Sequence, residues 1–194
     1  GLQPETAELL GLLQEQTERM SRMTKALLEM SELRSVPCGD AVELGPLSEE
    51  VLTDLAPLAE DKDITLDCAG DALVIGSDTL LYRLVFNLVE NAIRYSRPGS
   101  TVNVSICDND SHVFLRVEDQ GPGIPKQYRE SIFQPFFRLD KSRSRAYGGA
   151  GLGLALVWEI AALHGGTVEV ETSSENGTTM LVSLPKRSEA LTEQ

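Results

Sequence analysis

Residues 87–96 read Asn-Leu-Val-Glu-Asn-Ala-Ile-Arg-Tyr-Ser, and how this stretch is read decides the fold. Upstream and within it, Leu81, Leu84, Val85, Leu88, Val89 and Ala92 recur at steps of three and four, the spacing of one buried helical face. Asn87 and Asn91 interrupt that apolar pattern one turn apart, so their side chains share a face. Asparagine is a poor helix former because its amide competes for backbone hydrogen bonds. Two of them in one buried helix are either polar core residues or serve something polar outside it.

Working outward, Asp78–Tyr95 is predicted as a helix, and Ser48–Asp61 as another, with Ser48 and the glutamate after it as the start signal. Strands are predicted at Ile64–Leu66, Ala72–Ile75, Val102–Cys107 and Val113–Glu118. The last two alternate around Asp108-Asn109-Asp110, a hairpin turn. A helix at Gly151–Leu163 is closed by Gly165. Strands Thr167–Glu171 and Thr178–Leu184 then flank a second hairpin at Glu175-Asn176-Gly177. This order implies an α+β fold, a two-layer α/β sandwich. Its mixed, largely antiparallel sheet of about five strands is backed by about three helices.

Residues 5–33 carry a different pattern. Leu9, Leu13, Gln16, Met20, Met23, Leu27 and Met30 follow alternating steps of four and three, a heptad-like seam that predicts one long helix. Leu10, Leu12 and Leu28 widen the stripe, so the helix needs cover either from its own domain or from a bundle with another chain or helix. The pattern breaks at Val36-Pro37-Cys38-Gly39-Asp40.

Composition narrows the function classes. The chain has 194 residues, 41% of them hydrophobic and 24% charged, as in an ordinary globular protein. A formal charge of −13 argues against nucleic acid as a partner, since phosphate binding needs a concentrated basic surface. Cys38, Cys68 and Cys107 are odd in number and form no CxxC pair, and read as reduced thiols in a cytosolic domain. With only His112 and His164 as imidazoles, a zinc site is not expected. His164 reads as a helix-end residue favouring the negative dipole terminus, and His112 as an exposed residue beside a hairpin. The apolar stretch Leu152–Leu163 is too short to span a membrane.

Two glycine clusters remain. Asp119-Gln120-Gly121-Pro122-Gly123-Ile124 follows a strand, and Gly148-Gly149-Ala150-Gly151-Leu152-Gly153-Leu154 opens a helix. Glycine permits close backbone approach, and a helix start presents free N–H groups that suit phosphate; either cluster alone would equally serve as a turn. No GK[ST] follows a glycine loop, no glycine-rich βα turn of a dinucleotide fold is present, and HRD and DFG elements are missing.

Taken together, NLVENAIRYS, DQGPGI, FQPFFRLD and GGAGLGLALV resemble, in order and approximate spacing, the N, G1, F and G2 boxes of bacterial sensor histidine kinases. These kinases share the ATP-binding fold of DNA gyrase and its relatives. The likeness covers about residues 5–185. It implies that residues 1–35 are the second helix of a dimerisation and phosphotransfer domain, residues 36–187 an ATP-binding catalytic domain and residues 188–194 a tail. The resemblance implies ATP and Mg2+ as cofactors, with Asn91 as the metal ligand and Asn87 on the phosphate side. Asp119 would accept the adenine amino group, Gly121, Gly123 and Ile124 would frame the base, and Thr178 would contact it through water. Tyr95 could pack on adenine and Arg94 could reach phosphate, although both also suit an amphipathic helix end.

Residues from about Lys126 to Ala150 would form a lid packed by Phe133, Phe136 and Phe137. Arg138, Lys141, Arg143 or Arg145 would lie near the phosphates, and Gly149, Gly151, Leu152, Gly153 and Leu154 would line them; a solvated basic loop is the plainer alternative. The phospho-acceptor histidine is expected upstream of Gly1, so no catalytic residue of that kind is expected in the chain. Implied partners are the kinase's own dimerisation domain, a second copy of the full-length protein and a response-regulator receiver domain. The implied location is cytoplasmic, in a parent anchored in the cell membrane. The rival reading is an ATP-binding or ATP-hydrolysing conformational switch without histidine transfer, and its hydrolysing form is disfavoured. Gyrase-like ATPases place a general-base glutamate where this chain has Asn87, and a neutral amide cannot take the proton. Glu90 is expected on a different face of the helix.

Overall fold

The computed structural model describes residues 30–139 and 151–186 continuously, together with individual positions between 10 and 28. The described positions before residue 34 are helical; most of the heptad seam lies outside the described residues. Among the described residues seven strands and three longer helices follow. In chain order they are β1 (Asp40–Glu43), α1 (Leu44–Glu60), β2 (Thr65–Ala69), β3 (Leu73–Gly76), α2 (Asp78–Tyr95), β4 (Thr101–Asp108), β5 (His112–Asp119), α3 (Gly153–Leu163), β6 (Thr167–Ser174) and β7 (Gly177–Pro185). Two short 3-10 turns, Lys126–Tyr128 and Ser131–Phe133, lie between β5 and α3.

The main sheet has five strands in the order β2-β4-β5-β7-β6. Only β2 and β4 run parallel; the other pairs are antiparallel. On the inner face Val104 lies opposite Val117, Ile106 opposite Leu115, and Leu115 and Val117 opposite Val182 and Met180. All six are buried, as the period of two requires when one face meets a core. On the outer face Arg116 of β5 pairs with Glu171 of β6 at 2.9 Å, a half-exposed pair of small energetic weight.

The central helix α2 packs between α1 and α3 and onto β4 and β5, while α1 meets β2 and α3 meets β6 and β7. Its buried stripe comprises Leu80, Leu81, Leu84, Val85, Leu88, Val89, Ala92 and Ile93. Each large aliphatic member contributes about 1.5–3 kcal/mol by burial. Ser77 caps the start, its hydroxyl accepting from the Leu80 N–H. The predicted bounds of this helix hold.

Other expectations do not. The helix predicted from Ser48 begins at Leu44, and Ser48 is fully buried inside it with a hydroxyl that finds no partner among the described residues. The start is held from a distance: Asp71 Oδ1 accepts the Gly45 N–H at 2.7 Å, and the Leu44 N–H donates to Ala72 O. Strand β1 was not expected, and it draws β3 into a separate antiparallel ribbon, Val42 opposite Val74. The hairpin at Asn109 forms as predicted. Its side-chain oxygen accepts from the N–H groups of Ser111 and His112, a local turn closure that asparagine favours.

His164 ends α3 as expected, but not as a charge set against the dipole terminus. Its ring is 2% exposed. The Ser77 N–H donates to Nε2 at 3.0 Å, and Nδ1 lies 2.7 Å from Ile160 O. An N–H can only donate and a carbonyl can only accept, so the proton sits on Nδ1 and the ring is neutral. His112 is half-buried rather than exposed, with its ring stacked near Phe114.

Candidate nucleotide site

Asn87, Glu90, Asn91 and Arg94 are all half-buried. At i, i+3, i+4 and i+7 they form one stripe along α2. Glu90 therefore does not face away from Asn87, because three residues along a helix return to nearly the same side. Its carboxylate is held by Arg94, Nη2 to Oε1 at 2.7 Å. Asn87 Nδ2 donates to Arg83 O at 2.7 Å, which commits the amide nitrogen to its own helix. Among the described residues no hydrogen bond engages the Asn91 amide.

The start of α3 faces this stripe. A Cβ on Gly153 would stand 2.8 Å from Asn87 Oδ1 and 3.4 Å from Asn91 Nδ2; only a glycine lets the helix terminus come so near. No side chain caps that terminus, at Leu152, and the first-turn N–H groups of Gly153, Leu154 and Ala155 have no acceptor within the helix. Amide oxygens on one side and free N–H groups at a positive dipole end on the other form a cradle for an anion and its counter-cation.

Gly151 adopts φ +72°, and its carbonyl accepts the Phe136 N–H at 2.8 Å. This bond ties Gly151 to the segment that carries Phe136. Phe133 and Phe137 pack partly buried against the core, with the Phe137 ring near Tyr128. Arg138 is half-buried. Lys141, Arg143, Arg145, Gly148, Gly149 and Ala150 lie outside the described residues.

A second constellation forms where β5 ends. Asp119 lies opposite Thr178 of β7. Its Oδ1 accepts from the Gly121 N–H at 2.8 Å and the Thr178 N–H at 3.3 Å. No hydrogen bond among the described residues reaches Oδ2. Burial pushes the carboxyl pKa above its usual value; the two backbone N–H groups oppose this and Glu118 adds to it. Gly121 is wedged in place, since a Cβ there would stand 2.8 Å from Tyr95 O and 2.9 Å from Asp119 Oδ1. Gly123 has φ +77° and lies so close to Ser174 O that no side chain fits.

The Ile124 N–H donates to Ser173 Oγ at 2.7 Å, and that hydroxyl lies 2.9 Å from Thr178 Oγ1. Thr178 is buried, and Tyr95 is 59% exposed at the mouth of the site. Arg129, which the sequence reading passed over, ties the loop down by donating to Ile124 O and Ser173 O. Its position five residues after Ile124 was the only local clue. A hollow of about 330 Å³ lined by Arg129, Phe133 and Trp158 contains none of the asparagines or Asp119, so it is not this site.

Residues 76–188 match the model of a family described as histidine kinase-, DNA gyrase B- and HSP90-like ATPase. The chain belongs to this family. Within it, the relatives are sensor histidine kinases. The sensor-like histidine kinase SenX3 of Mycolicibacterium smegmatis is 36% identical over 176 residues, covering 88% of this chain and 46% of SenX3. The solved mycobacterial sensor histidine kinase MprB superposes with a TM-score of 0.67 at 32% identity, covering 77% of this chain and 98% of that one. The ATP-binding domain of PrrB from Mycobacterium tuberculosis superposes with a TM-score of 0.62 at 27% identity, over 78% of this chain and 100% of that one. Over most of its length the chain is thus similar to the ATP-binding part of sensor histidine kinases, and it spans just under half the length of SenX3.

Among the described residues no cluster of three or more His, Cys, Asp or Glu could hold a metal. Among the described residues Cys38, Cys68 and Cys107 form no disulfide. No described helix is long and apolar enough to cross a membrane.

Proposed function

We propose that this domain binds ATP between the Asp119 constellation and the α2–α3 cradle, and presents its γ-phosphoryl group to a histidine on a separate helical domain. That histidine would then pass the group to an aspartate of a response-regulator receiver domain. The observation that carries this reading is the pair of uncommitted oxygen acceptors at opposite ends of the site. Asp119 Oδ2 has no partner among the described residues at the base end, and the Asn91 amide has none at the phosphate end.

At the base end, a carboxylate oxygen accepts the adenine amino group and leaves a guanine carbonyl facing a like acceptor, which selects adenine. Gly121, Gly123 and Ile124 supply a backbone surface close enough to frame a flat ring, Thr178 offers its hydroxyl through water, and Tyr95 can close over the ring. At the phosphate end, the N–H groups of Gly153 and Leu154, with Gly149, Gly151 and Leu152 before them, meet phosphate oxygens, and Arg94 and Arg138 add positive charge.

The residues fit Mg2+ bound mainly through the nucleotide. One hard amide oxygen, from Asn91, beside a phosphate cradle suits an ion that keeps waters and phosphate oxygens as its other ligands. When bound, the ion neutralises charge on the transferring phosphate. The chain's own residues then position and shield, which is most of what phosphoryl transfer asks of a protein. Asn87, an amide rather than a carboxylate, offers water no base, and the Glu90 carboxylate is tied to Arg94; both favour transfer over hydrolysis.

We further propose that residues 1–35 are the second helix of the dimerisation and phosphotransfer domain, residues 36–187 the ATP-binding domain and 188–194 a tail. The full-length protein would be a membrane-anchored homodimer with this domain in the cytoplasm. Calorimetry tests the core of the reading: ATP should bind, GTP should bind at least tenfold more weakly, and chelating Mg2+ should weaken ATP but not adenosine. Equal affinity for ATP and GTP, or no binding of either, would overturn it.

A further inference from the structure

Helix α2 delivers Asn87, Asn91, Arg94 and Tyr95 to the site, yet its C-terminus has no glycine cap. Ser96 ends it in an extended conformation, with only its N–H bonded back to Ala92 O. The last carbonyls of a helix have no intrahelical partner and carry the negative end of the dipole. Here they are met from 31 to 34 residues away in sequence. Lys62, in the turn between α1 and β2, donates through Nζ to Ile93 O at 2.8 Å, Arg94 O at 2.7 Å and Ser96 O at 3.1 Å. Its backbone carbonyl also accepts the Gly99 N–H, so the chain just beyond α2 is held at a second point.

We propose that Lys62 is a positioning residue for nucleotide binding: one ammonium group fixes the last turn of α2 and, through it, both Tyr95 and the Asp119 loop.

The link to the loop is direct. Gly121 rests on Tyr95 O, with no room for a Cβ, and Ser96 Oγ accepts the Gln120 N–H at 3.3 Å. Those contacts, at Tyr95 and Ser96, fall within the run from Ile93 to Ser96 whose carbonyls Lys62 holds. If the last turn frays, Gly121 loses the surface it rests on and Gln120 loses its acceptor, so the Asp119 carboxylate is no longer aimed at one place. A cation is needed because three oxygens converge on one atom, which a tetrahedral ammonium can serve with its three N–H bonds. Arginine can donate to the same carbonyls from a planar fork and should replace it in part. Methionine matches the stem and donates nothing.

This inference rests on the ATP reading above, and the test separates the two. Calorimetry with ATP is run on the wild-type domain, Lys62→Met and Lys62→Arg, with amide hydrogen exchange at Ser96 and Gln120. Lys62→Met should bind ATP and adenosine roughly tenfold more weakly, the loss expected when charge-assisted bonds that order a site are removed. Its Ser96 and Gln120 amides should exchange faster, and Lys62→Arg should recover most of the affinity. Should Lys62→Met fail to fold, Lys62→Gln keeps a neutral donor and should show the same losses in smaller measure. Wild-type affinity in a Lys62→Met or Lys62→Gln domain that is merely less stable would overturn the positioning role. Absence of ATP binding in the wild-type domain would overturn the nucleotide reading itself, and this inference with it.

Discussion

Asp119→Asn should leave the nucleotide-free domain folded and reduce its ATP affinity by roughly 100-fold or more, the scale seen when a site's buried polar group meets a mismatched partner. Asparagine keeps an oxygen where Oδ1 accepts the N–H groups of Gly121 and Thr178. It replaces Oδ2 with an amide that donates, so two donors would meet at the adenine amino group. Guanine presents an acceptor there, and the variant's remaining preference should move toward GTP.

Stability should not suffer. Burial raises the Asp119 pKa, so the folded state binds a proton more readily than the unfolded chain. Stability is therefore fullest below the ordinary carboxylate pKa and declines as pH rises through the raised folded value. At neutral pH the ionised carboxylate is a cost that Asn removes, and the apo thermal midpoint should hold or rise. Calorimetry with ATP and GTP beside a thermal scan checks both halves. Collapse of the apo fold would show Asp119 to be a loop cap and nothing more.

Asn91→Ala should abolish most phosphoryl transfer while leaving the helix sound. Alanine is the better helix former by about 0.5 kcal/mol, and no described hydrogen bond is lost with the Asn91 amide. The oxygen lost is the one proposed to meet Mg2+. The magnesium-dependent part of ATP affinity should fall by about 1–3 kcal/mol, the scale of a hydrogen bond to a charged group. The transfer rate should drop further, because the misplaced phosphate no longer lies in line with its acceptor. Single-turnover transfer from labelled ATP, compared with adenosine binding, separates the two effects. Unchanged transfer would remove Asn91 from the site.

What was legible in the sequence was local. Helix α2 follows from the helical spacing of its leucines and valines, into which Asn87 and Asn91 are set. Each hairpin carries its own turn chemistry in Asn109 or Gly177. The ordered boxes name Asn91, Asp119 and the glycines as candidates before any coordinates are needed. What failed was non-local. Nothing near Leu44 says that Asp71 will cap it from 26 residues away, although Pro46 in the first turn was a usable hint. Strand β1 buries only Val42 of its four residues, too little pattern to detect. His164 stands at its helix end as expected, but its partner, the Ser77 N–H, is 87 residues distant and left no local sign. Lys62 carries no local signal either, because the carbonyls it serves lie 31 to 34 residues away. The Glu90 expectation failed on geometry alone: Glu90 shares a stripe with Asn87, and what removes it as a base is Arg94.

The most direct test of the account is phosphoryl transfer in trans. The domain is incubated with Mg2+ and ATP labelled on the γ-phosphate, with and without the acceptor-bearing helical domain of its own parent protein. Neither histidine described here can serve as acceptor, since His164 is buried in a neutral hydrogen-bonded ring and His112 follows a hairpin turn on β5. The predicted result is acid-labile label on the added domain and none on this chain. Label on this chain alone, or no label on the added domain despite measured ATP binding, would contradict it.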